Sequence, residues 1–146
     1  MVVFGVVIAA LAGLAGLRTR EAAASNDQLR VVVTYAQVAR PGISAPFEIA
    51  IDSVGGGELP DELDVEVSSA YLAMFDENGL GPEPDTAASD GTTETWTYRP
   101  QGEAALHIDL DARVQPNVHS GETATVRVAG PGVHPIQLEV RTWVLP

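Results

Sequence analysis

The sequence predicts an all-β fold, two packed antiparallel sheets of about seven or eight strands, behind an N-terminal transmembrane helix. Three observations predict it. Beyond Gln28 the apolar residues recur with period two, not 3.6. The segments between those runs are rich in Pro, Gly and Asn, the residues of tight turns. Residues 2–17 carry no charge at all, whereas every carboxylate of the chain lies beyond them.

The apolar run comes first. It reads VVFGVVIAALAGLAGL, and as a helix it covers roughly 24 Å at about 1.5 Å per residue, slightly short of a hydrocarbon layer of about 30 Å. Phe4, Val7, Ile8, Leu11, Leu14 and Leu17 are then the side chains facing lipid, and residues 1–18 form the anchor. A cleaved signal peptide is the competing reading, because Ala22, Ala23 and Ala24 precede Ser25 as small residues do at a cleavage site. Arg18, Arg20 and Glu21 interrupt that pattern, and no basic segment precedes the run. A buried helix of a soluble domain has nothing helical to pack on. Taken literally, the two arginines place the following domain in the cytoplasm; an N-terminus that starts further upstream reverses this, and the domain is expected outside. Residues 19–28 read as a polar tether.

The strands follow in order. Leu29, Val31, Val33 and Tyr35 alternate with more polar neighbours, then Phe47, Ile49 and Ile51, then Leu63, Val65 and Val67. A short run from residue 71 to 75 either continues that strand or begins the next. Trp96 and Tyr98 share a face and are expected in the core. Leu106, Ile108 and Leu110 follow, then Ala124, Val126 and Val128, and finally Ile136, Leu138, Val140 and Val144. Turns at Pro41-Gly42, Gly55-Gly56-Gly57, Asn78-Gly79, Gln115-Pro116-Asn117, Ser120-Gly121 and Pro131-Gly132 separate them. Residues 77–93 are acidic and poor in apolar side chains, and read as a long excursion from the sheet edge. Parallel α/β architecture would need amphipathic helices between strands, for which there is no room.

Residues 38–56, VARPGISAPFEIAIDSVGG, place a Pro-Gly turn before an alternating strand and a polar-Gly turn after it. In this, and in the rhythm of residues 121–128, the chain resembles bacterial immunoglobulin-like modules of the CARDB and NEW3 types across roughly residues 29–145. Asp52 and the triple glycine stand where those modules place Asn and Gly. The resemblance implies an immunoglobulin-like β-sandwich over residues 29–146 that binds or spaces without catalysis outside the cytoplasm. The acidic excursion and the apolar run are departures from that pattern.

Composition excludes much. The 146 residues hold 8 cations, all arginine, against 20 carboxylates, a net charge of −12, and no cysteine. Disulfide scaffolds, thiolate metal sites and cysteine nucleophiles are thereby removed, and nucleic-acid binding lacks the cations that neutralise phosphates. The arginine-only, alanine-rich usage is that of a high-GC bacterium such as an actinobacterium.

Specific chemistry is sparse. His107, His119 and His134 show no metal-ligand spacing. Weak calcium binding would draw on Asp76, Asn78, Asp85 and Asp90, although the run from Asp76 fails the calcium-loop pattern at Leu80 and Ala87. Gly55-Gly56-Gly57 opens no helix and lacks the lysine of a phosphate loop. Asp109 and Asp111, with His107 and Arg113, form a polar stripe rather than an acid–base pair. No Gly-x-Ser-x-Gly elbow is present.

One pair stands out. In a regular strand Trp143 shares its face with Gln137, Glu139 and Arg141, opposite the apolar row. Either a bulge turns it inward, or Trp143 and Leu145 form an exposed apolar spot suited to a protein contact. The expected function is therefore a membrane-anchored, non-catalytic accessory domain at the bacterial cell envelope. It would meet the bilayer through residues 2–17 and a membrane-protein partner through its surface, with self-association compatible and no cofactor. The alternative is a secreted or tethered carbohydrate- or cell-wall-binding module, for which a chain only 5% aromatic is a poor fit.

Overall fold

Each alternating strand has one apolar face, and that face must be covered by another. A computed structural model, describing the backbone of residues 8–14 and 17–145, shows how this chain does so: twelve strands join into one curled sheet. In chain order they are β1 (Ile8–Leu14), β2 (Leu17–Ser25), β3 (Leu29–Ala39), β4 (Ser44–Ala45), β5 (Phe47–Ser53), β6 (Leu63–Ser68), β7 (Phe75–Gly81), β8 (Thr86–Ser89), β9 (Thr93–Tyr98), β10 (Ala105–Val114), β11 (Glu122–Gly130) and β12 (Val133–Val144). A single helical turn, α1 (Ser69–Leu72), follows β6.

One arm of the sheet runs β1-β2-β3-β5-β10-β7, with β4 continuing along β10 past Pro46. The other runs β12-β11-β6-β9-β8. All these pairings are antiparallel. The arms meet through β3, whose last residues pair parallel with β12, Val38 opposite Trp143 and Ala39 opposite Val144. Strand β3 changes arm by changing face. Leu29, Val31, Val33 and Tyr35 point inward, but Ala36 is buried as well, and the β2–β3 register slips between Arg18 and Thr19. One extra residue reverses the alternation, which is what a bulge does.

The predicted apolar positions of residues 29–144 are buried in the observed core, except Leu106, which is half-buried against it. Val31, Val33, Ile49, Ile51, Leu63, Val65, Val67, Ile108, Val126 and Val128 are buried in one cluster drawn from both arms, and Trp96 and Tyr98 are buried with them.

The N-terminal expectation is corrected. Ile8, Leu11 and Leu14 lie in β1, paired with Ala23, Arg20 and Leu17 of β2; Phe4 and Val7 fall outside the described residues. Among the described residues no helix is long and apolar enough to cross a membrane. Val and Ile favour extended chain over helix, and β2 hydrogen-bonds to β1 on one side and to β3 on the other. Of the tether expected over residues 19–28, residues 19–25 instead belong to β2, which pairs along β3 from Arg18 to Ser25. The acidic excursion is also more ordered than expected, since β7 extends to Gly81, carrying Asn78-Gly79 within a strand paired to β10 rather than in a turn, and β8 occupies Thr86–Ser89. The short run at 71–75 is neither strand alternative entirely: α1 and a turn precede β7, which starts at Phe75.

A buried polar relay ties the crossing together. Thr142 is the one buried polar side chain among the described residues. Its Oγ1 donates to the Ala36 carbonyl at 2.6 Å and lies 2.8 Å from the Tyr71 hydroxyl. With its single proton committed to the carbonyl, Thr142 accepts from Tyr71. The Tyr71 ring packs between Phe47 and Phe75, centroids 5.3 Å away in each case. Burial is the main reason its pKa is raised to about 12, with the Thr142 hydrogen bond opposing.

Three tests follow from this packing. Thr142→Val keeps the shape but strands the carbonyl and the phenol, and should cost about 1–3 kcal/mol in denaturant unfolding. The double variant with Tyr71→Phe should cost less than the sum of the two singles by at least about 0.5 kcal/mol. Because Tyr71 and Tyr98 both titrate near pH 12 when folded and near 10 when unfolded, folding favours their neutral forms. That stability is fully present below about pH 10 and lost as pH rises toward about 12, and Tyr71→Phe should shrink the alkaline loss. Finally, a Cβ on Gly121 would sit 1.9 Å from the Thr142 carbonyl oxygen, and one on Gly130 2.5 Å from that of Glu62. Alanine at either should destabilise by about 2–4 kcal/mol, whereas Gly79→Ala, with open space around it, should stay within about 0.5 kcal/mol.

Candidate interaction surface

Strand β12 decides where Trp143 goes. Its burial alternates without interruption from Ile136 to Val144, with Thr142 on the inward face. There is no bulge to turn Trp143 inward, so the side chain is half exposed, and Leu145 after it nearly as much. The Arg141 guanidinium stacks 4.1 Å from the centre of the Trp143 ring and donates to Thr123 Oγ1 at 3.0 Å. A stacked cation holds the indole in place and keeps the pair amphipathic.

The rest of this outer face is polar and cross-paired. Arg127 on β11 bridges to Glu66 on β6 at 2.6 Å, and Thr97 on β9 donates to Asp64 at 2.7 Å. Both the pair and the hydroxyl contact are half exposed, so they contribute little stability and mainly order the surface. Grooves among the described residues are shallow and open, such as the one beneath α1 lined by Ser69, Leu72, Phe75, Asp76 and Glu94.

The calcium candidates do not converge. Asp76 sits on β7, opposite Arg113. Asp85 and Asp90 flank β8 on the other arm and are spent on backbone: Asp85 accepts from Arg99 N at 2.8 Å, and Asp90 Oδ1 from Thr93 N and Thr92 N at 2.7 and 2.8 Å. Those two amides hold the Asp90 pKa below its usual value. The Asn78 side chain is outside the described residues. Among the described residues no three acids or histidines are grouped to hold a metal ion. His107, Asp109, Asp111 and Arg113 do form an exposed stripe along β10.

Two features had no legible signal. The side chain of Gln28 imitates a strand against the edge of β12, its Nε2 donating to the Gly132 carbonyl at 2.8 Å and its Oε1 accepting from His134 N at 2.9 Å. Asn26 adds a bond to the His134 carbonyl. Together they cover backbone that would otherwise invite another strand. Ile43, in the turn after β3, is the other surprise, being as exposed as Trp143.

No known protein-family model matches the chain, and no curated protein matches it either.

The dispersal of the acids sets a simple test. Millimolar calcium should leave the thermal midpoint of the protein unchanged; a rise of several degrees would mean that ligands gather in a way this geometry does not provide.

Proposed function

We propose that the chain is a non-catalytic interaction domain of the bacterial cell envelope, immunoglobulin-like in build, acting through contacts with a membrane-protein partner. The single observation that carries this reading is Trp143, exposed in an unbroken alternation and braced by Arg141. A large aromatic held rigid at the surface is the usual centre of a protein contact. The strand order supports the immunoglobulin-like part: β3-β5-β10-β7 in one arm and β12-β11-β6-β9 in the other, with the first long strand crossing between them, is the layering of such sandwiches. The resemblance of residues 38–56 to bacterial modules points the same way. The charge of −12 keeps the domain soluble and away from nucleic acid.

The test is affinity capture with the full chain from detergent-solubilised membranes of the source cell. A specific integral membrane protein should be retained by the wild type and lost with Trp143→Ser, with unfolding of the variant unchanged within about 0.5 kcal/mol. Capture that ignores Trp143→Ser, or no capture at all, sinks the reading.

A further inference from the structure

In a chain of 8 arginines and 20 carboxylates, a place where cations gather runs against the average. One end of the curled sheet is such a place. Arg18 of β2 pairs with Val38 of β3, and Trp143 of β12 pairs with the same residue. Directly paired residues share a face, so arginine and indole flank Val38 on one surface. Leu145 N donates to the Ala39 carbonyl at 2.9 Å, Arg40 follows, and Ile43 N donates to the Arg40 carbonyl at 3.3 Å. Arg141 stacks on Trp143.

The exposed apolar side chains concentrate here too. Among the described residues the large ones are Ile43, Val54, Trp143 and Leu145, at 52, 48, 50 and 45% exposure. Three of them belong to this end; Val54 lies beyond β5, its N–H on the Gln28 carbonyl. By register Glu122 lies opposite Thr142 and Glu139 opposite Thr125, and Asp111 lines the surface beside Ser44, Ala45 and Pro46; Arg18 and Arg141 are the cations beside Trp143. Arg113, opposite Ser44, is offset by Asp76 across its other ladder.

The described part of the uncharged run, β1, ends at the same place. Strand β2 begins at Leu17, whose register partner is Leu14, immediately before Arg18.

We propose that this end is a docking surface for an anionic lipid bilayer. Trp143, Leu145 and Ile43 enter the boundary between headgroups and acyl chains, and Arg18 and Arg141 bind lipid phosphates. The chemistry fits: an indole is apolar over its rings and polar at its N–H, which suits the interface, and a guanidinium pairs with phosphate through two parallel bonds. The inference rests on the envelope placement proposed above and adds a lipid contact to it.

The experiment uses the full chain with phosphatidylcholine vesicles, with and without phosphatidylglycerol. With the anionic lipid, Trp143 emission should shift to the blue and be quenched by brominated acyl chains. The buried Trp96 supplies an unresponsive background, and Trp143→Phe removes the response. Arg18→Gln and Arg141→Gln should each weaken binding about fivefold, from about 1 kcal/mol per arginine at an anionic surface, and Val54→Ser should change nothing. Absence of quenching overturns the proposal. So does binding that persists unaltered in Trp143→Ser, Arg18→Gln and Arg141→Gln, since residues 2–17 alone would then be responsible. The two readings separate cleanly: protein capture dependent on Trp143 without vesicle binding removes the lipid surface and keeps the protein contact, and the opposite result removes the protein contact and keeps the lipid surface.

Discussion

The architecture depends on how β3 leaves one arm of the sheet and joins the other. A strand that changes layer must reverse its alternation, and the reversal exposes backbone to the core. Here the exposed group is the Ala36 carbonyl, and Thr142 Oγ1 satisfies it at 2.6 Å while taking a hydrogen bond from Tyr71. Three separate elements (α1, β3 and β12) are thereby held by two buried hydrogen bonds. In such surroundings a satisfied bond is strong and an orphaned group costly, so the relay selects one arrangement of the arms rather than merely adding to their stability. Phe47 and Phe75, packed on the Tyr71 ring, extend that selection into β5 and β7.

The surface follows from the same crossing. Because β12 ends beside β3, its last outward residues emerge next to the start of β2, and Trp143, Leu145 and Arg18 are brought to one end although they are far apart in sequence. Elsewhere the outer faces are acidic and threonine-rich, and the backbone of β12 near His134 is covered by Gln28 and Asn26. Against that acidic exterior, the exposed indole and the two arginines beside it are the local exception.

How much could be read from residues alone differs from element to element. Leu63, Val65 and Val67, with Asp64 and Glu66 between them, announce a strand with one buried face because side chains alternate with period two. Strand β12 is legible to the point of placing Trp143 outside, given that no bulge occurs. The apolar run at residues 2–17 misled because absence of charge is common to membrane helices and to buried strands, and only the pairing of Ile8–Leu14 with β2 distinguishes them. Strand β8, Thr-Ala-Ala-Ser, is exposed on every residue, so it has no alternation to detect. Its order comes from hydrogen bonds to β9.

What the amino-acid sequence determined by itself was the class of structure and the character of its surface. Alternation, turn residues and charge are local properties, and they set an all-β chain with an acidic exterior, while leaving open whether Trp143 faces in or out. Only the tertiary structure decided the number of strands, the crossing of β3, the Tyr71–Thr142–Ala36 relay and the meeting of Arg18 with Trp143. Each of those joins residues widely separated along the chain, and no local pattern encodes which distant strand a free edge will find.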